Sequence, residues 1–186
     1  TNIKKFSVGS PIQAAADAMV QLVAEHGLTP GSIETIEVLL PPMGAQIVNG
    51  RTMPDVNLQY VLAVILLDEG VLTFAATHDY ERLSEPKVVE LMKRITLKGD
   101  ASLQHLEAQR PATVRVNLKG GQRYEKHIPA VRGTADNPMT REEVETKAFD
   151  LLDSVLGCHK ARRLVDGIWD LSGKSSMRAL RPFLMT

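Results

Sequence analysis

Asp55-Val56-Asn57-Leu58-Gln59-Tyr60-Val61-Leu62-Ala63-Val64-Ile65-Leu66-Leu67-Asp68-Glu69-Gly70 reads as one buried helix. Asp55 or Asn57 can cap its start, because a short side-chain oxygen accepts from the unpaired N–H groups of a first turn. Gly70 follows the last apolar turn, where a left-handed residue ends many helices. From Val61 to Leu67 every position is apolar. A helix with no polar face has neighbours on all sides, and seven such residues are too few to cross a bilayer. Gln59 and Tyr60 carry polar groups into the dry end of this helix. A buried phenol normally finds a hydrogen-bond partner. Periodicity alone leaves two readings of Tyr60 open, an amphipathic core residue or a functional one.

The 186 residues fit one domain, or one and a small appendage, and the pattern is read as a single domain over 1–186. Lys plus Arg and Asp plus Glu are 22 each. A balanced charge argues against a nucleic-acid or membrane-surface role driven by bulk charge. Aromatics at 4% leave few platforms for stacking bases. Cys158 is the single cysteine. It rules out an intrachain disulfide and reads as a packing residue within a helix. No signal peptide or transmembrane run is visible, so a soluble, cytoplasmic protein is expected. The chain opens on Thr1 rather than Met, as a processed product or a piece of something longer would.

Upstream of the central helix, Ser10-Pro11 is a helix start. Ile12, Ala15, Ala16, Met19, Leu22 and Val23 form one apolar stripe, closed by His26-Gly27. Ile36, Val38 and Leu40 alternate with Glu37 and Leu39 in a half-buried strand that Pro41-Pro42 ends. Residues 43–54 read as a loop. Downstream, Val71 to Phe74 reads as a short apolar link, Thr77-His78-Asp79-Tyr80 as the cap and first turn of a short helix, and Glu85-Pro86 as the start of another. Ile95 to Leu97 reads as a brief strand. Residues 112–118 and 123–130 form a hairpin about Lys119-Gly120-Gly121-Gln122. His127 on it reads as a half-exposed strand residue. Thr140 and Glu143 fit a capping box opening a helix with Val144, Ala148, Leu151, Leu152 and Val155 apolar. A second helix turns Ala161, Leu164, Val165, Ile168 and Trp169 inward, and residues 177–183 suggest a last short one. Strands and helices mixed without strict alternation predict an α+β fold, a small, largely antiparallel sheet with helices on one face. No glycine-rich nucleotide loop and no histidine pair at metal-binding spacing is present, so neither a nucleotide cofactor nor a metal is expected.

Three stretches together resemble the C-terminal domain of the MmgE/PrpD, or 2-methylcitrate dehydratase, family. Lys4-Lys5-Phe6 with Pro11-Ile12-Gln13-Ala14-Ala15-Ala16-Asp17-Ala18 is similar to its Lys-x-aromatic lead into a helix. Leu58-Gln59-Tyr60-Val61-Leu62-Ala63-Val64 resembles its Gln-Tyr-x-x-Ala helix start. Gly133-Thr134-Ala135-Asp136-Asn137-Pro138-Met139-Thr140, with Glu143 and Lys147, resembles its Gly-x-x-x-Asn-Pro turn and following helix. The resemblance implies a cofactor- and metal-independent lyase or isomerase that moves a proton beside a carboxylate of a small di- or tricarboxylate. It implies a larger N-terminal helical domain, absent here or supplied by a separate subunit, and a homodimer. It implies catalytic roles for Tyr60 and for Lys4, with Lys5 as the alternative lysine. Lys5, Ser7, Gln59, Arg51 and Arg132 are the expected substrate-binding residues. Many members carry a histidine shortly before the first helix. Pro11 stands about there, which leaves that acid–base role either missing or passed to another group such as Ser7 or Ser10. A non-catalytic dimerisation module that keeps the fold is the alternative.

Overall fold

A computed structural model describes residues 2–106, 110–173, 176, 178 and 181–184. The stretch quoted first is helical over Leu58–Leu67, and everything from Leu58 to Leu66 is buried. Asn57, rather than Asp55, supplies the cap: its Oδ1 accepts the Tyr60 N–H at 3.0 Å. At the far end Gly70, with φ of +92°, returns its N–H to the Ile65 carbonyl at 2.8 Å. A left-handed backbone of this kind suits glycine, and a Cβ there would meet Val23 at 3.3 Å.

The chain divides into two compact units, Thr1–Pro138 and Met139–Thr186, so the appendage that its length allowed is present. The first unit runs α1 (Gln13–His26), β1 (Ile33–Leu40), α2 (Pro42–Val48), α3 (Leu58–Leu67), α4 (Phe74–Thr77), α5 (Pro86–Met92), β2 (Ile95–Gly99), β3 (Ala112–Leu118) and β4 (Arg123–Ile128). The strands form one sheet in the order β2-β1-β3-β4. The fold is α+β, as expected, but the sheet is mixed rather than largely antiparallel. Strand β1 pairs antiparallel with β3 and parallel with β2, from Ile36 opposite Ile95 to Leu40 opposite Gly99. The cause is the connection, because a parallel neighbour needs a long crossover and α2 to α5 all lie between these two strands.

Ile36, Val38 and Leu40 of β1, with Val114 and Val116 of β3, bury one face of the sheet. Helices α1 and α3 pack there. The opposite face is polar and carries an ion ladder. Glu37 accepts from Lys98 at 2.5 Å and from Arg115 at 2.9 Å, and Arg115 also reaches Glu125 at 2.6 Å. These hydrogen bonds, Lys98 first and then Arg115, hold the Glu37 carboxyl below its ordinary pKa.

Two local expectations are corrected. Residues 43–54 are not all loop: Pro42 opens α2 at its first turn, where the missing N–H costs nothing. The helix expected from Thr77 lies earlier, at Phe74–Thr77 with Thr73 as its cap. Asp79 instead accepts the Arg82 N–H at 2.9 Å, at the first residue of the 3-10 turn Arg82–Ser84.

The second unit holds α6 (Arg141–Leu156), α7 (Cys158–Trp169) and the short α8 (Arg181–Leu184). Of the expected last helix, Arg181–Leu184 is described as helical, and Met177 lies outside the described residues. Thr140 and Glu143 form the capping box. Helix α7 buries Ala161, Leu164 and Val165, whereas Ile168 and Trp169, expected inward, are exposed. The Arg141 guanidinium lies over the Trp169 ring, 4.4 Å from its centroid. Cys158 is exposed at the start of α7 rather than packed. Among the described residues no helix is long and apolar enough to cross a membrane.

Candidate anion-binding cleft

The central helix fixes Tyr60 first. Its side chain is 0% exposed, and its hydroxyl donates to the Ala76 carbonyl at 2.7 Å, with the Asp79 carbonyl at 3.3 Å. Ala76 belongs to the last turn of α4, where carbonyls have no partner within their own helix. The phenol therefore closes α4 from the side. Burial pushes its pKa up to about 12. In this structure the hydroxyl of Tyr60, an expected catalytic residue, is bonded to backbone.

Gln59 and Arg51 are also spent on backbone and loop. Gln59 Nε2 donates to Asn49 Oδ1 at 2.5 Å, and its Oε1 accepts from Gly50 N–H at 3.2 Å. Arg51 donates from Nε to the Ile47 carbonyl at 2.6 Å and from Nη2 to the Gln46 carbonyl at 2.9 Å. A cation on the last carbonyls of α2 suits the negative end of that helix. These two residues hold the link between α2 and α3, and neither is gathered with Lys4.

The two N-terminal lysines part company. Lys5 Nζ reaches Asp17 Oδ1 at 2.6 Å, with the Asp17 side chain 4% exposed. Gln21 donates to the other Asp17 oxygen at 2.9 Å. Lys5, an expected substrate-binding residue, thus ties the N-terminal segment onto α1. Gln13, which the sequence reading passed over, clamps the preceding turn. Its Oε1 accepts the Phe6 N–H at 3.1 Å, and its Nε2 donates to the carbonyls of Phe6 at 2.8 Å and Val8 at 3.1 Å. Ser7 sits inside that clamped turn. Lys4 points elsewhere, exposed, with Nζ donating to the Val8 carbonyl at 3.2 Å.

Ile3 N–H donates to the Gly133 carbonyl at 2.9 Å and lays the N-terminal segment against the loop after β4. Asn137 organises that loop. Its Nδ2 donates to the Ala130 carbonyl at 3.0 Å, and its Oδ1 accepts from Arg132 Nη1 at 2.7 Å. The result is a small cleft lined by Lys4, Ser10, Gln13, Arg110, Arg132 and the Gly133 segment. Among the described residues, Lys4, Arg110 and Arg132 are the charged groups that line it. Arg110 was missed in the sequence, and its backbone is the local signal: φ is +49° immediately before Pro111. A non-glycine residue there is uncommon, and such positions cluster at binding sites. Lysine offers a point charge and arginine a planar fork, the two ways a carboxylate is held. No histidine is among the described residues that line the cleft.

Fold and cleft together define an α+β domain with a cation-lined hollow built by its N-terminal segment, the Arg110 turn and an Asn-Pro loop. The chain belongs to the MmgE/PrpD family: the profile of the MmgE/PrpD C-terminal domain matches residues 6–171. That span takes in Gln59-Tyr60 and the Asn137-Pro138 turn, and begins just after Lys4 and Lys5. No curated protein matches the chain.

Proposed function

We propose that this chain is the carboxylate-holding half of a lyase or isomerase acting on a small di- or tricarboxylate. Lys4, Arg110 and Arg132 hold the carboxylates. The acid–base group comes from a helical domain or a separate subunit that closes over the cleft and excludes water, where a fixed cation is worth more than in solvent. The observation that carries this reading is the gathering of Lys4, Arg110 and Arg132 in the lining of one cleft. The family's chemistry, proton movement beside a carboxylate without a metal, is what the resemblance adds. Tyr60 enters as the group that fixes α4, and no step is assigned to its phenol.

The test is reconstitution. The chain alone is expected to show no turnover. With a helical family domain added, dehydration, decarboxylation or epimerisation of a carboxylate panel is followed, and Lys4→Met is expected to raise KM more than it lowers kcat. Unchanged kinetics in both Lys4→Met and Arg132→Met would remove the cleft from the reaction.

A second reading, a homodimerisation or interaction module that keeps the fold, is favoured by the sealed Tyr60 hydroxyl. It expects a stable dimer by solution mass and no carboxylate binding. A monodisperse monomer that binds dicarboxylates would decide against it.

A further inference from the structure

Strand β4 is an edge of the sheet, and one side of it is unpaired. The Leu118 N–H donates to the Gln122 carbonyl at 2.8 Å. From there the backbone groups of an antiparallel ladder alternate in direction. Gln122, Tyr124 and Lys126 turn theirs toward β3, and Arg123, Glu125 and His127 turn theirs outward. Those three have no outward backbone partner among the described residues. Such a row is a template for another strand, and natural edges are commonly blunted by a proline, a bulge or an exposed lysine. Here the register runs unbroken from Asn117 opposite Arg123 to Ala112 opposite Ile128, and proline comes only after it, at Pro129. Lys126, the one lysine of the strand, is bonded to Glu25 of α1 at 2.5 Å.

The charges on the polar face say what fits this edge. Lys98, Glu37, Arg115 and Glu125 alternate in sign from β2 to β4, each bonded to the next. The series ends on Glu125 at the edge, so the next strand suits a cation there. The same edge offers one in Arg123, whose guanidinium lies 3.9 Å from Glu125. We infer that β4 pairs antiparallel with β4 of a second copy about a two-fold axis at Tyr124, joining two sheets into one. Arg123 then lies opposite the partner's Glu125, and Glu125 opposite the partner's Arg123. The outward N–H and C=O groups of both residues are satisfied, and the ion ladder runs on into the second sheet. Centring the axis on Glu125 or Lys126 instead sets that residue against its own copy, which is repulsive. A contact that meets itself in this way is isologous and closes at a dimer. The edge shares no residue with the cleft, so this inference stands independently of the carboxylate reading.

Sedimentation of the full chain over a concentration series tests this. The chain is expected to dimerise, and more weakly as salt rises, because the ion pairs are exposed. Arg123→Glu and Glu125→Lys each turn both cross-strand pairs repulsive and should weaken dimerisation about tenfold or more. Mixed in equal amounts, the two variants restore opposite charges at both pairs and should form a heterodimer. The two side chains are 58% and 48% exposed, and thermal melts check that both variants fold. In the unaltered chain, amide exchange at Arg123 and Glu125 should slow as concentration rises, a readout that needs no variant. A chain that stays monomeric overturns the second copy as the occupant, even where an added extended peptide protects those amides. A dimer whose Arg123 and Glu125 amides exchange as in the monomer overturns it too. So do folded variants that dimerise as the parent does, or whose mixture stays monomeric.

Discussion

The Tyr60 hydroxyl and the Ala76 carbonyl lie 2.7 Å apart inside the first unit. One residue belongs to the central buried helix and the other to the last turn of a four-residue helix. A helix that short is not stable by itself. Its end is held by a donor from sixteen residues upstream.

Removing that donor is therefore expected to cost stability rather than chemistry. Tyr60→Phe keeps the ring and leaves the Ala76 carbonyl with no donor in a dry place, which costs about 1–3 kcal/mol. Urea unfolding of the two proteins measures it. A variant as stable as the parent would show that the bond contributes nothing net.

The same phenol carries a pH signature. Burial raises its pKa from 10.0 to about 12, so the folded state holds the proton more tightly than the unfolded one. The stability this gives is complete below pH 10 and is lost as pH rises through 12, amounting to about 2–3 kcal/mol in all. Lysines titrate in the same window, so the comparison is with Tyr60→Phe. The stability gap between the two proteins should narrow from pH 9 to pH 12. A gap that stays constant would mean that the phenol does not resist ionisation.

Lys4 and Lys5 are neighbours in sequence with opposite expected roles. Lys5→Met leaves the Asp17 carboxylate buried, with Gln21 donating to its other oxygen, at a cost of about 2 kcal/mol, below the range for a fully buried pair because Lys5 is partly exposed. Lys4→Met is expected to change stability by less than about 0.5 kcal/mol and to weaken dicarboxylate binding instead. Denaturation and titration of both variants separate the tie from the ligand; equal effects in the two would erase the distinction.

In the second unit, Thr140 Oγ1 accepts the Glu143 N–H at 3.2 Å and the Glu143 carboxylate accepts the Thr140 N–H at 2.8 Å. Thr140→Ala is expected to destabilise α6 by about 1 kcal/mol. Hydrogen exchange at the Glu143 amide should quicken about fivefold. Unaltered exchange there would show that the helix start is held by other contacts.

The elements legible in the sequence are those specified within a few residues. The apolar run through Leu66, the cap at Asn57, the left-handed Gly27, the β3–β4 hairpin and the Thr140–Glu143 box each need only near neighbours, so periodicity and capping chemistry expose them. Of these, the Leu58–Val64 run and the Thr140–Glu143 box also carry the family resemblance. Direction and destination were not legible. Strand β2 is short, and nothing local tells a parallel from an antiparallel partner. Tyr60 needs a donor's destination, and both a substrate and a carbonyl would satisfy it. Only packing chose Ala76. Lys4, Arg110 and Arg132 lie far apart along the chain and meet because Ile3 docks on Gly133 and Asn137 shapes the loop beneath Arg132. Local chemistry sets which helices and turns form. The long-range burial that closes them on one another decides which polar groups are used up inside and which remain at the surface.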